Sequence, residues 1–248
     1  MDVHGWILLA LACFGAGLLD AVAGGGGLLS LPAFLAAGLP PALALGTNKL
    51  VAANATLTAT VRYARAGLVH RRGAALAALS FAGGALGASS ALSIPARLLH
   101  PVLIVLLLGA LAAVLWRQVR PPRPRASEGF PPAVWLGAAG LGFYDGFFGP
   151  GTGTFLIALL AVGAGLRLEA AAGTAKPLNF GSNLGALAVF ALRGSVLPWL
   201  GLSLIPCMIA GAWLGASLAV RRGAPAIRAV LTLVVLAVCA KLAWGLLL

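Results

Sequence analysis

The chain has 248 residues, of which 61% are hydrophobic and only 9% charged. A soluble domain of this size is about a quarter charged and uses that polarity to cover its surface, so a soluble globular protein is excluded. The formal charge of +12 would suit nucleic acid, but the basic residues gather in short clusters at the ends of apolar runs, as they do beside an anionic leaflet, and nucleic acid is excluded as a partner.

In chain order, apolar stretches cover about 5–23, 26–39, 41–61, 74–95 and 98–116, then about 133–148, 153–166, 170–192, 196–219 and 225–247. They are continuous and rich in Gly and Ala, which predicts helices packed closely in lipid rather than the alternating strands of a barrel. The second and seventh have only about 14 residues, roughly 21 Å of helix against a hydrocarbon core of roughly 30 Å, and are expected to be half-helices or re-entrant segments. The first ends in Ala21-Val22-Ala23, which looks like a leader cleavage site. Asp2 and the absence of an early Lys or Arg oppose that reading, so the stretch is taken as a retained span. Between the fifth and sixth stretches lies RQVRPPRPRASEGFPP, too charged and too rich in proline to cross lipid.

The same pattern occurs twice. Shifted by 125, Gly15, Gly17, Asp20, Gly24 and Gly26 fall on Gly140, Gly142, Asp145, Gly149 and Gly151. Shifted by 127, Gly46, Thr47, Lys49, Leu57 and Gly67 fall on Gly173, Thr174, Lys176, Leu184 and Gly194. The expected organisation is a first membrane repeat at 1–116, a basic cytoplasmic linker at 117–131 and a second repeat at 132–248. If all ten stretches change side with the N-terminus outside, twelve Lys/Arg face the cytoplasm and only Arg97, Arg193 and Lys241 face out. Eight spans, with the two short stretches re-entrant, give about ten against five, so the charge rule favours ten. Five crossings per repeat would insert the two repeats upside down relative to each other, the plan of many secondary transporters. The expected fold is thus an all-α polytopic membrane protein of about eight to ten segments, multi-pass in the inner (plasma) membrane.

Four ionisable residues sit in or beside apolar stretches at equivalent places: Asp20 with Asp145, and Lys49 with Lys176. A charge in a bilayer is costly enough to mark function, although two structural ion pairs, Asp20 with Lys49 and Asp145 with Lys176, would also account for it. Thr47, Asn48, Asn54, Thr56 and Thr58 surround the first lysine, and Thr174, Asn179, Ser182 and Asn183 the second. On a helix Lys176, Asn179 and Asn183 share a face, a cation with two amides that suits an oxyanion; such amides also tie helices together. The runs Gly24-Gly25-Gly26-Gly27 and Gly149-Pro150-Gly151-Thr152-Gly153 lack the Lys-Ser/Thr of a phosphate loop. In lipid they unwind the backbone before each short stretch, where free N–H groups and a helix N-terminus would favour an anion; close helix packing is the plainer use of the same glycines. Cys13, Cys207 and Cys239 form no spaced pair, His4, His70 and His100 are scattered, and no metal site, cofactor or enzymatic nucleophile is indicated.

The stretch GAGLLDAVAGGGGLLSLPAFLAAGLPPALALGTNKL resembles the TauE/SafE family, as do FYDGFFGPGTGTF and GTAKPLNFGSNLGALAVF in the second repeat. The likeness spans nearly the whole chain and implies a transporter of small anions such as sulfite or a sulfonate, without naming one. Asn48 aligns with Ala175 and Leu50 with Pro177, so a binding site would be asymmetric. The expected function is a secondary transporter, an exporter working by alternating access with a proton as coupling ion. An anion channel and a metal-cation transporter are the alternatives. The candidate substrate contacts are Gly24, Gly25, Gly26, Thr47, Asn48, Lys49, Gly149, Gly151, Thr152, Thr174, Lys176, Asn179 and Asn183. Asp20 and Asp145 are candidates for proton coupling or ion pairing. The expected partners are the lipid bilayer and a small anion, with a homo-oligomer left open.

Overall fold

A computed structural model describes residues 3–95, 97–99, 101–103, 105–106, 130–223, 225 and 229. Most of the fifth and tenth apolar stretches and of the basic linker lie outside the described residues, and with them His100, Arg228, Cys239 and Lys241. The described chain is helical, with no strand among the described residues.

Helix α1 (Val3–Ala23) is followed by the short α2 (Gly27–Ala36), then α3 (Pro41–Arg65) and α4 (Gly73–Leu92). After the linker come α5 (Pro132–Phe147), the seven-residue α6 (Thr152–Ala158) running on as a π-turn (Leu159–Gly163), α7 (Leu168–Leu192) and α8 (Pro198–Arg222). Helices α1, α4 and α8 are long and apolar enough to cross a membrane. Helices α3 and α7 are as long as α8, 25 residues or roughly 38 Å, but carry a polar face. The ten residues of α2 reach only about 15 Å, half of what a hydrocarbon core requires.

The exterior is apolar as well as the core. Leu136 and Leu192 are 75% and 86% exposed, while Lys49 and Lys176 are 1% and 0% exposed. An apolar exterior with charges sequestered inside is stable where lipid covers the outside.

Small residues set the packing. Helix α4 lies on α5 and α8 lies on α1. A methyl group on Gly87 of α4 would stand 2.0 Å from the Phe143 carbonyl oxygen, and one on Gly215 of α8 would stand 2.4 Å from that of Leu18. With Gly83 and Gly211 four residues earlier these form two glycine-spaced seams, the usual device for bringing helix backbones together in lipid. Each seam joins a helix before the linker to one after it.

Residues that the sequence shift relates also make matching contacts. The hydroxyl of Thr47 accepts a hydrogen bond from the Leu197 N–H, and that of Thr174 accepts one from the His70 N–H, both at 3.0 Å. The first turns of α3 thus abut the loop after α7, and the first turns of α7 abut the loop after α3. The two central helices run antiparallel.

Candidate functional site

The site begins where helices stop. Helix α1 is ended by Gly24, at φ +78°, whose N–H returns to the Asp20 carbonyl at 2.8 Å. Such a left-handed residue is the ordinary way to close a helix, and glycine is nearly alone in tolerating it. The second break, from Phe148 to Gly151, carries Gly149 at φ +103° and Gly151 at φ +83° before α6 begins. Thr152 caps it by donating its hydroxyl to the Gly149 carbonyl at 2.7 Å, and Tyr144 donates to the Pro150 carbonyl at 2.8 Å.

The two breaks meet. Thr154 donates its N–H to the Gly24 carbonyl at 3.3 Å and its hydroxyl to the Ala23 carbonyl at 2.8 Å. A methyl on Gly24 would lie 2.1 Å from the carbonyl carbon of Gly153, so backbone touches backbone at the centre of the molecule. Unwound backbone at this depth is tolerated because protein, not lipid, satisfies it.

Four charges surround this crossing, and their pairing differs from the simplest sequence expectation. Lys49 is bound not to Asp20 but to Asp145, at 2.9 Å, and Lys176 is paired with Asp20, at 3.7 Å. Each pair therefore links the chain before the linker to the chain after it. The cause is packing: α3 and α7 cross antiparallel, so each lysine leans toward the helix end that the opposite part of the chain delivers.

The two pairs are not alike. Asp145 accepts the Ser182 hydroxyl at 2.6 Å with its second oxygen, and Lys49 fits over Gly149, where an added methyl would stand 2.9 Å from the ammonium. Lys176 instead donates to the backbone carbonyl of Asp20, and the Asp20 carboxylate, beyond its longer ion pair with Lys176, accepts from the Asn179 amide at 3.5 Å from each oxygen. Asn183 in turn donates to the Asn179 carbonyl at 2.7 Å and to its side-chain oxygen at 3.0 Å.

Between the pairs lies a narrow cavity, with about 20 Å³ open to the centres of water molecules. Both carboxylates, Lys49, Asn48, Asn179, Asn183 and Gly149 line it, together with Gly27 and Ser30 of α2, Ala52 and Thr56 of α3, Gly153 of α6 and Met208 of α8. Asn48 is buried, and its side-chain oxygen has no hydrogen-bond partner. A buried polar atom left open is costly, and a cavity-lining one is available to whatever enters.

Of the residues singled out from sequence, Asn48, Lys49, Asn179, Asn183 and Gly149 meet at the cavity with Asp20 and Asp145. Gly24, Gly25, Gly26, Gly151 and Thr152 build the breaks beside it, and Lys176 approaches it through Asp20. Thr47 and Thr174 sit apart from the cavity and hold the opposite loops. Asn54 and Thr58 bond back to the carbonyls of Leu50 and Asn54 within α3, which satisfies them without any ligand. Sequence reasoning missed Ser30, Thr154 and Met208 as site residues. Ser30 bonds back to the Gly26 carbonyl, and nothing in its spacing marks it; Thr154 follows the second glycine run and was legible as polar.

The profile of the sulfite exporter TauE/SafE family matches residues 9–242. A "probable membrane transporter protein ORF9" from Sinorhizobium is 38% identical over 96% of this chain and 92% of its own length. The "probable membrane transporter protein YfcA" of Escherichia coli is 36% identical over 92% of this chain and 85% of its own, and a Haemophilus influenzae "probable membrane transporter protein" is 36% identical over 98% and 97%. No solved structure matches. A bilayer-adapted exterior, paired buried charges at two helix breaks and a family match across nearly the whole chain agree: this protein belongs to the TauE/SafE family of membrane transporters.

Proposed function

We propose that the chain is a secondary transporter that exports a small sulfur-containing or organic anion, such as sulfite or a sulfonate, across the inner membrane by alternating access. One observation carries the reading: the buried Lys49 lines a small cavity at the meeting point of two helix breaks, the buried Lys176 stands behind Asp20 in its wall, and each lysine is held by a carboxylate from the opposite part of the chain. An anion entering the cavity competes for those lysines. The size of the cavity favours a compact ion, since space of about 20 Å³ for water centres corresponds to a hollow of roughly 3 Å radius. Asn48, Asn179 and Asn183 would orient its oxygens, and the glycine breaks let the backbone yield as the ion passes.

The resting wall of the site is formally neutral, two lysines against two carboxylates. A monoanion entering alone would bring unbalanced charge into low dielectric, while an anion entering with a proton would not, and this favours proton coupling. The antiparallel crossing of α3 and α7 supports an inverted pair of repeats, 1–116 and 132–248, joined by a cytoplasmic linker. Alternating access is then the rocking of one against the other around the crossing.

The test is flux in proteoliposomes of purified protein, with sulfite, methanesulfonate, acetate and divalent cations as separate arms. Saturable anion flux that accelerates under an imposed pH gradient is expected. Non-saturating flux indifferent to that gradient would favour a channel, and flux of the divalent cations alone would favour a cation carrier.

A further inference from the structure

We propose that Asp20, and not its counterpart Asp145, is the carboxylate that takes up the proton accompanying each anion; this rests on the carrier reading above and assigns its coupling residue. The two acids hold equivalent places in sequence and both line the cavity, yet their bonding differs. Asp145 is fully engaged, by Lys49 at 2.9 Å and by the Ser182 hydroxyl at 2.6 Å, and its side chain is 3% exposed. Protonating it would leave the Lys49 ammonium buried with no partner of opposite charge at contact distance, the costliest outcome for a buried pair.

Asp20 is bonded loosely. Its carboxylate stands 3.7 Å from Lys176 and 3.5 Å from the Asn179 amide, and its side chain is 12% exposed. Besides facing the carboxylate, Lys176 donates an N–H to the main-chain carbonyl of Asp20, an acceptor that protonation of the side chain does not remove. Asp20 can therefore gain a proton while Lys176 keeps a partner. The charged and titratable groups around it are Lys176 from α7, Lys49 and Tyr63 from α3, and Asp145 across the cavity; α8 presents Met208 and α2 presents Ser30.

The step is a simple transfer. A hydronium ion gives its proton to the Asp20 carboxylate and leaves as water; one O–H bond forms, the negative charge of Asp20 is lost, and the positive charge already on Lys176 is left unbalanced. A monoanion in the cavity restores neutrality. One proton and one monoanion leave together, so net export runs down the anion's own outward gradient, and as the anion departs the carboxylate returns its proton to water and is ionised again.

The probe is methanesulfonate, which stays singly charged across pH 5–8 and so does not itself titrate. Its binding to purified wild-type protein in detergent is expected to weaken with rising pH, by up to about tenfold per unit, with one proton taken up per anion bound. Asp20→Asn, which mimics the protonated acid, should bind at the low-pH strength of wild type at every pH, with no proton uptake. Retention of the wild-type pH slope by Asp20→Asn overturns the assignment. So does a flat profile in Asp145→Asn with Asp20→Asn unchanged. If Asp20→Asn does not fold, Asp20→Glu serves: a shifted but preserved one-proton profile supports the assignment, and an unshifted one overturns it. Wild-type protein that binds neither methanesulfonate nor sulfite overturns the carrier reading itself, a result distinct from binding that is independent of pH, which overturns only the role of Asp20.

Discussion

Lys49 on α3 meets Asp145 at the end of α5 at 2.9 Å, so the tighter of the two ion pairs at the cavity joins residues from either side of the basic linker. Its sister pair, Lys176 with Asp20, is exchanged in the same sense. Removing one partner of a buried pair strands the other. Lys49→Met should therefore cost about 3–5 kcal/mol, and Lys49→Met with Asp145→Asn should recover much of it. A double-mutant cycle on thermal stability in detergent should give Lys49–Asp145 a coupling on the order of 1–3 kcal/mol, and Lys49–Asp20 a smaller one. The reverse order would rule out the exchanged pairing.

The contact of Gly24 with Gly153 makes a second prediction. Gly24→Ala must both adopt φ +78° and drive a methyl to 2.1 Å from the Gly153 carbonyl carbon. Gly38 has a similar φ of +84° but open space around it, so Gly38→Ala should lose only about 1–2 kcal/mol. Gly153→Ala, whose methyl would stand 2.4 Å from the Gly24 Cα but whose φ is not positive, should fall short of Gly24→Ala by about what Gly38→Ala costs. Melting temperatures of the three proteins separate the cost of conformation from the cost of contact.

His70 supplies a dependence on pH. It lies in the loop between α3 and α4, its ring tilted against that of Phe130 at 4.6 Å, and its Nδ1 accepts the Arg72 N–H at 3.1 Å. Partial burial, and then Arg71 and Arg72, hold its pKa below the usual 6.5. Because the folded state resists protonation, the stability this loop contributes is present above pH 6.5 and is lost as pH falls through the lowered value. Wild-type thermal stability should decline in that acid range. His70→Asn, which keeps an acceptor but does not titrate, should decline less; an identical decline would place the effect elsewhere.

Antiparallel α3 and α7 predict the sidedness of their loops. With Cys13, Cys207 and Cys239 replaced, Ala66→Cys should react with an impermeant thiol reagent only from the cytoplasmic side, and Arg193→Cys only from outside. Both positions are exposed at the ends of their helices. Reaction of both from one side would refute the inverted arrangement.

Much of this was legible in the residues alone. Apolar runs without alternation specify helices in lipid, glycine runs specify breaks, and a Lys or Asp among apolar neighbours specifies a place where burial must be compensated. What the residues did not reveal was which partner compensates which. The pairing of Lys49 depends on α3 running against α7 and on α4 seating α5; the first shows in the Thr47–Leu197 and Thr174–His70 contacts and the second in those of Gly87 with Phe143 and Gly84 with Gly146, all far apart in sequence. Thr47 and Thr174 show the same dependence on distant partners. Each lies two residues before a buried lysine, and each accepts a hydrogen bond from a loop that comes from the far side of the linker.

The exchanged packing also orders events during synthesis. Helix α1 is complete at Ala23, but α8, which seats it, begins only at Pro198, about 175 residues later and some tens of seconds at ordinary rates of translation. Helix α5, by contrast, emerges with α4 already in place. The nascent chain must hold its first helix in the bilayer unclosed, with Asp20 still awaiting Lys176, until nearly everything else has been made. A ribosome that stops before α8 leaves an open glycine seam and an unsealed bundle for the membrane proteases to find.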